Sequence, residues 1–203
     1  MSTDIKSDQG VVDTKRRRFL VNSTSVIAAV GAGFVAVPFL SSWMPSERAK
    51  NAGAPVEADI SKLEEGRLLI VEWQSKPVWI VKRSEKTLSD LVTLDDILSD
   101  PDSVEAQQPA YAQNANRSIR PEISVLVGIC THLGCSPTYR PELGPADLGA
   151  DWLGGFFCPC HSSKFDLAGR VYQGVPAPTN LVVPPHKYVS DNIILIGQDG
   201  ESA

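Results

Sequence analysis

Basic residues are outnumbered in this chain, 19 Lys and Arg against 24 Asp and Glu, for a formal net charge of −5. An acidic chain has no electrostatic case for binding nucleic acid, and no nucleic-acid partner is expected. The 203 residues hold no internal repeat and no low-complexity tract, which excludes a repeat array. Cysteine and histidine are scarce, at four and three. Charge is missing altogether from Phe19 to Ser46. These scarcities are placed rather than scattered. The charge-free run lies near the front, and all four cysteines with two of the three histidines fall in two short segments of the C-terminal half.

The segments are Cys130-Thr-His132-Leu-Gly-Cys135 and Cys158-Pro-Cys160-His161-Ser-Ser163. Each holds two cysteines and one histidine at metal-ligand spacing. Two kinds of site are open to such a set. A structural zinc takes four Cys or His ligands from pairs a few residues apart. A [2Fe–2S] cluster can take two thiolates on one iron and two imidazoles on the other, and the neutral imidazoles raise its reduction potential. Drawn as one cysteine and one histidine per box, either site leaves one cysteine of each box over. The third histidine, His186, stands apart in Pro-Pro-His-Lys and reads as a partly exposed surface residue without a role.

The double box resembles the cluster-binding signature of Rieske iron–sulfur proteins, and the match spans most of residues 120–183. The extra cysteine in each box is similar to the high-potential branch, the iron–sulfur subunits of cytochrome bc1 complexes. The resemblance implies one [2Fe–2S] cluster, with Cys130 and Cys158 on one iron and His132 and His161 on the other. It also implies a disulfide between Cys135 and Cys160. Ser163 matches a serine that donates to a bridging sulfide. Phe165 stands where the family often has a tyrosine whose hydroxyl donates to a ligand cysteine, so a lowered potential is expected. Ser162 stands where glycine is common. Gly174-Val-Pro176-Ala-Pro178 resembles a proline loop that covers the cluster from a third side, and Leu133 would sit at the apolar cluster tip.

The front of the chain reads as an anchor. Residues 1–18 sum to +2, with the basic excess in Lys15 to Arg18, and Arg16-Arg17-Arg18-Phe19-Leu20 resembles a twin-arginine export motif. Phe19 to Leu40 would make a helix about 33 Å long, enough to cross a hydrocarbon core of about 30 Å. An uncleaved transmembrane anchor is expected over 19–42. Its N-terminus would be cytoplasmic by the positive-inside rule, and Gly31 and Gly33 would give a smooth face for helix packing. Residues 43–60, rich in Ala, Gly, Pro and charge, read as a flexible tether.

Residues 61–203 read as one exported domain. Leu68 to Trp73 and Pro77 to Lys82 predict a hairpin. Thr87 to Leu98 predicts a helix with Thr87 as cap and Asp90 three residues on. Residues 99–121 read as a surface loop, and Ile123 to Ile129 as the strand delivering the first box. Short strands are expected at Val171–Tyr172, Leu181–Val183, Lys187–Val189 and Asn192–Ile196. The insertion from Ser136 to Phe157, with Tyr139, Arg140 and Trp152, could shape a partner interface. The fold class expected is mostly β, an antiparallel β-sandwich head of Rieske type, with a cluster-binding subdomain at about 124–183 and one N-terminal transmembrane helix.

By resemblance, the function is electron transfer within a quinol–cytochrome c oxidoreductase of a bacterial inner membrane, with the head periplasmic. His161 and His132 would face the quinol. Cytochrome b, cytochrome c1, lipid and a dimeric complex are the implied surroundings, and the chain alone would be inactive. Two alternatives stand beside this: the small Rieske subunit of a periplasmic oxidase such as arsenite oxidase, and a binding module with structural zinc.

Overall fold

A computed structural model describes residues 13–46 and 53–200. The chain divides into two units, Met1–Ala49 and Lys50–Ala203.

In the first unit, α1 runs from Thr14 to Ser41. Asp13 caps it, its carboxylate accepting the Lys15 and Arg16 amides at 3.0 and 3.2 Å, so the arginines lie inside the helix rather than ahead of it. Its apolar stretch has a mean hydropathy of 1.8 and is long enough to span a membrane. Phe19, Ile27, Phe34 and Val35 are exposed along it, the pattern of a helix whose solvent is meant to be apolar.

The described residues of the second unit form three three-stranded antiparallel sheets. The first joins β1 (Val56–Asp59), β9 (Ile193–Ile196) and β8 (His186–Ser190) in that order, and the second joins β2 (Leu68–Trp73), β3 (Lys76–Lys82) and β4 (Ile123–Val127). The third joins β5 (Thr138–Arg140), β6 (Gly155–Cys158) and β7 (Ser163–Asp166). β1 lies inside the segment read as tether, so residues 56–59 are part of the head's sheet. Residues 47–52 of that segment lie outside the described residues.

The middle sheet explains why β3 and β4 are apolar at nearly every position. Side chains alternate between faces, and both faces are covered. Val78, Ile80, Ile123 and Val125 pack with Ala58, Ile194 and Ile196 of the first sheet. Trp79, Val81 and Leu126 pack into a second core with Phe156, Phe165, Cys130 and Cys158. The β2–β3 hairpin turns on Gln74 and Ser75, both at positive φ (52° and 58°), the geometry of a two-residue turn that matches strand twist.

Four expectations need correction. The helix α2 runs from Glu85 to Val92 and is capped by Ser84, whose hydroxyl accepts the Thr87 amide at 3.2 Å; a short 3-10 turn, Asp95–Ile97, follows it. Thr87 is therefore inside the first turn, not its cap. Residues 99–121 are not merely a surface loop, because Ser103, Ala112, Arg117 and Ser118 are buried. His186 is buried in β8 opposite Ile196. Its Nδ1 sits 2.8 Å from the Pro184 carbonyl and its amide donates to the Tyr111 hydroxyl at 2.8 Å. Among the expected short strands, Val171 and Tyr172 form only isolated bridges, to Phe165 and Leu98, and 181–183 joins no sheet.

Candidate metal centre

Both boxes are loops at the ends of strands. β4 leads into the first. Its exit passes Gly128, where a Cβ would run into the Trp79 ring, so only glycine lets the strand leave there. The loop closes on itself: the Cys130 amide donates to Cys135 O at 2.7 Å, and Gly134, at φ +81°, donates to Cys130 O at 3.0 Å. The second box is the hairpin loop between β6 and β7, with Cys158 paired to Ser163 and the Ser162 amide donating to Cys158 O at 2.9 Å. Ser162 sits at φ +62°, in the left-handed region that glycine adopts freely. That explains why a glycine is expected at this position.

The two loops lie side by side. Cys135 and Cys160 form a disulfide across them. The sulfurs of Cys135, Cys158 and Cys160 lie within 4.8 Å of one another. Since two of these are bonded together, the free thiols are Cys130 and Cys158, both buried. The His132 and His161 rings meet edge to face with centroids 4.7 Å apart. His161 is exposed and His132 half-buried. Two buried thiols and two adjacent, more accessible imidazoles, with the remaining pair of cysteines removed by oxidation, match the donor chemistry of a mixed [2Fe–2S] site.

Burial pushes the Cys130 thiol up. The neighbouring Cys158 pushes the same way, and hydrogen bonds from the His132 backbone and the Ser163 hydroxyl pull down. A bound metal displaces such a proton, since only the thiolate ligates. Ser163 is fully buried, and its Oγ also accepts the Ala177 amide at 3.1 Å. Pro176 is exposed next to that amide, and Leu133 is 70 % exposed. Phe165 is fully buried in the core cluster that also holds Cys130 and Cys158, and pairs across the hairpin with Phe156.

Sequence reasoning missed several supports. Thr131 Oγ1 donates to Thr179 O at 2.7 Å, joining the first box to the end of the proline-rich turn. Asn180 is fully buried behind that turn. Among the described residues, Arg83, Arg117 and Arg170 lie in the core. Arg83 donates to the carbonyls of Pro121, Asn116 and Leu167 and to Ser118 Oγ. Arg117 donates to the Ala168, Gly169 and Leu181 carbonyls and to Gln108. Burial lowers both guanidiniums to about 10, against the pull of Asp166, so both stay charged at neutral pH. The insertion after the first box is stitched to itself rather than left open. Arg140 grips Asp147 with two bonds of 2.8 and 3.0 Å, and the Trp152 indole donates to Arg140 O at 3.0 Å.

The family described as "Rieske [2Fe-2S] domain" matches residues 56–185. The chain belongs to the Rieske iron–sulfur family. A second family, described as "Ubiquitinol-cytochrome C reductase Fe-S subunit TAT signal", matches residues 6–46, which include α1. The "Ubiquinol-cytochrome c reductase iron-sulfur subunit" of Allochromatium vinosum is 62 % identical over 97 % of this chain and 95 % of its own length. The protein of the same name from Bradyrhizobium diazoefficiens is 41 % identical over 90 % of this chain and 94 % of its own. Among solved structures, "Hyperthermophilic respiratory Complex III" aligns with 87 % of this chain and 98 % of its own, at 22 % identity and a TM-score of 0.45.

Proposed function

We propose that this Rieske chain is the electron-transfer subunit of a membrane-bound quinol–cytochrome c oxidoreductase, inactive alone. The observation that carries the reading is the convergence of two free buried thiols and two adjacent, more accessible imidazoles beside an inter-loop disulfide. Its close relatives carry the name of that subunit.

In this reading Cys130 and Cys158 hold one iron and His132 and His161 the other. The bound [2Fe–2S] group supplies a one-electron acceptor. His161, exposed, and His132, half-buried, offer their outer ring nitrogens to a quinol hydroxyl held by a cytochrome b subunit. The imidazole takes the proton as the electron arrives, because added negative charge beside the ring favours its protonated form. The second electron of the quinol would go to a b-type haem of the assembly. Exposed Leu133 gives the tip an apolar contact that excludes water from the encounter. The thiols stay buried, so exchange with partners runs through the histidine side.

The head passes its electron to cytochrome c1 by moving on the segment between α1 and β1. α1 crosses a bacterial inner membrane with its basic end, Lys15 to Arg18, in the cytoplasm. The head is periplasmic, and the assembly is dimeric.

The test is an EPR spectrum of dithionite-reduced membranes, followed by affinity purification in detergent. A mixed-ligand cluster gives a low average g, and b- and c-type haems co-purify. A spectroscopically silent metal would return the boxes to structural zinc. A cluster released without detergent or haems would favour a soluble oxidase subunit.

A further inference from the structure

The proline-rich turn 174–180 touches both boxes, through the Ala177 amide on Ser163 Oγ at 3.1 Å and through Thr131 Oγ1 on Thr179 O at 2.7 Å. It belongs to no sheet, so its place is set by whatever holds its two ends. Both ends stand on one stretch of chain, residues 96–103. At the first end the Gln173 amide donates to Ile97 O at 2.9 Å. Gln173 Nε2 donates to Leu98 O at 2.9 Å and to Asp96 O at 3.3 Å. At the second end Asn180 Nδ2 donates to Asp100 O at 2.9 Å, with Ser103 Oγ at 3.3 Å and Asp100 Oδ2 at 3.4 Å. Asn180 Oδ1 accepts the Val171 amide at 2.8 Å. Between the two ends, the Ser99 amide donates to Val171 O at 2.9 Å.

We propose that Gln173 and Asn180 are positioning residues for the cluster, anchoring the turn on residues 96–103 so that the Ala177 amide orients the Ser163 hydroxyl toward the cluster. The inference rests on the cluster reading above. A serine hydroxyl has one proton and two lone pairs. With Ala177 donating to the oxygen, the proton is left for a sulfur of the bound cluster. A donor to a ligand sulfur stabilises the added electron and raises the potential. A slack turn frees the hydroxyl rotor and weakens that donation. Neither anchor touches a ligand residue in any of these bonds, so each acts through the turn.

The experiment uses the full-length chain in its membrane assembly. Asn180→Asp keeps size and acceptor but exchanges the donor. Gln173→Met removes the side-chain donor at the exposed end, where folding is least at risk. Midpoint potential is read by EPR-monitored redox titration, and hydrogen exchange of the 174–180 peptide by mass spectrometry. The expected result is faster exchange of that peptide. The equilibrium constant for reduction should fall up to about tenfold, about 59 mV for one electron. In a Ser163→Ala background the same substitutions should lower the potential no further, because effects acting through one contact do not add. A potential unchanged in Gln173→Met with the cluster signal intact overturns the inference, as does an equal drop with and without Ser163. If Asn180→Asp loses the cluster, Gln173→Met decides. A wild-type sample without the low-g signal removes the cluster reading instead.

Discussion

Arg170 Nε donates to Asp166 Oδ2 at 2.7 Å, and the two side chains are 1 % and 0 % exposed. The other carboxylate oxygen accepts the Ala168 and Arg170 amides at 2.9 and 2.8 Å, closing the turn that leaves the second box. The guanidinium goes on to Asp95 Oδ1 at 2.7 Å and Leu91 O at 2.6 Å, which ties that turn to α2. Removing one member of a buried pair strands the other, at a cost of about 3–5 kcal/mol. Asp166→Asn should lose stability on that scale in urea unfolding. Asp95 is half exposed, so Asp95→Asn should cost about 1 kcal/mol or less. A larger loss at Asp95 than at Asp166 would reverse the assignment of which carboxylate the turn depends on.

The boxes are legible in the sequence because their geometry is local. Each is one loop between strands, so spacing along the chain is close to spacing in space. The supports are not local. β1 pairs with β9, from Val56 against Ile196 to Asp59 against Ile193, and nothing near Val56 signals that partner. Nothing in the sequence near Arg83, Arg117 and Arg170 signals their burial, because the carbonyls that accept from them come from several distant segments. His186 follows the same logic, since its burial comes from strand pairing and Tyr111. The Ser84 cap was hidden for another reason. α2 starts on Glu85 and Lys86, before its apolar face begins at Leu88, so the apolar pattern points one turn too late.

Ser162 carries a side chain at φ +62°, a conformation that costs a non-glycine residue about 1–2 kcal/mol. Ser162→Gly relieves that strain but loosens the unfolded chain, at a cost of roughly 0.4–1 kcal/mol. The net expectation is a gain of up to about 1.6 kcal/mol, seen as a higher Tm. Ser162→Ala keeps the Cβ and should not gain. Equal stabilisation by both variants would locate the cost in the hydroxyl rather than the backbone.

The Cys135–Cys160 disulfide closes a loop with a sequence separation of 25. A loop of that size is stabilised by about 3.5 kcal/mol through the unfolded state. It also holds the two boxes against each other, so its loss should act on the metal centre as well as on the fold. The double variant Cys135→Ser/Cys160→Ser should lower the unfolding midpoint and lose iron during gel filtration, measured as iron per chain. Retention of full iron occupancy would show that the strands alone hold the boxes in register.

His186 is held below its ordinary value of 6.5 by burial, partly offset by its hydrogen bond to the Pro184 carbonyl. The unfolded chain therefore binds a proton more readily than the folded one. The contribution of His186 is complete above about pH 6.5 and is lost as the pH falls from there toward the lowered value in the fold. Urea midpoints at pH 7.5 and 5.5 should differ less in His186→Asn than in the wild type. A wild-type difference that survives the substitution would assign the acid sensitivity to other groups.

Phe165 is fully buried in the same core as both free cysteines, and it lacks the hydroxyl that a tyrosine would bring. A hydroxyl donating to a thiolate sulfur stabilises the reduced state, and a hydrogen bond to a charged group contributes about 1.5 kcal/mol or more. For one electron that is about tenfold in the equilibrium constant, or about 59 mV. Phe165→Tyr should therefore raise the midpoint potential by that order in an EPR-monitored titration. Phe165→Leu adds no donor and controls for disturbed packing; its potential should stay near the wild-type value even where its Tm falls. A tyrosine variant with intact cluster signal and no upward shift would mean that the ring at position 165 does not aim its end at a ligand sulfur. The low-potential expectation for this chain would then fall with it.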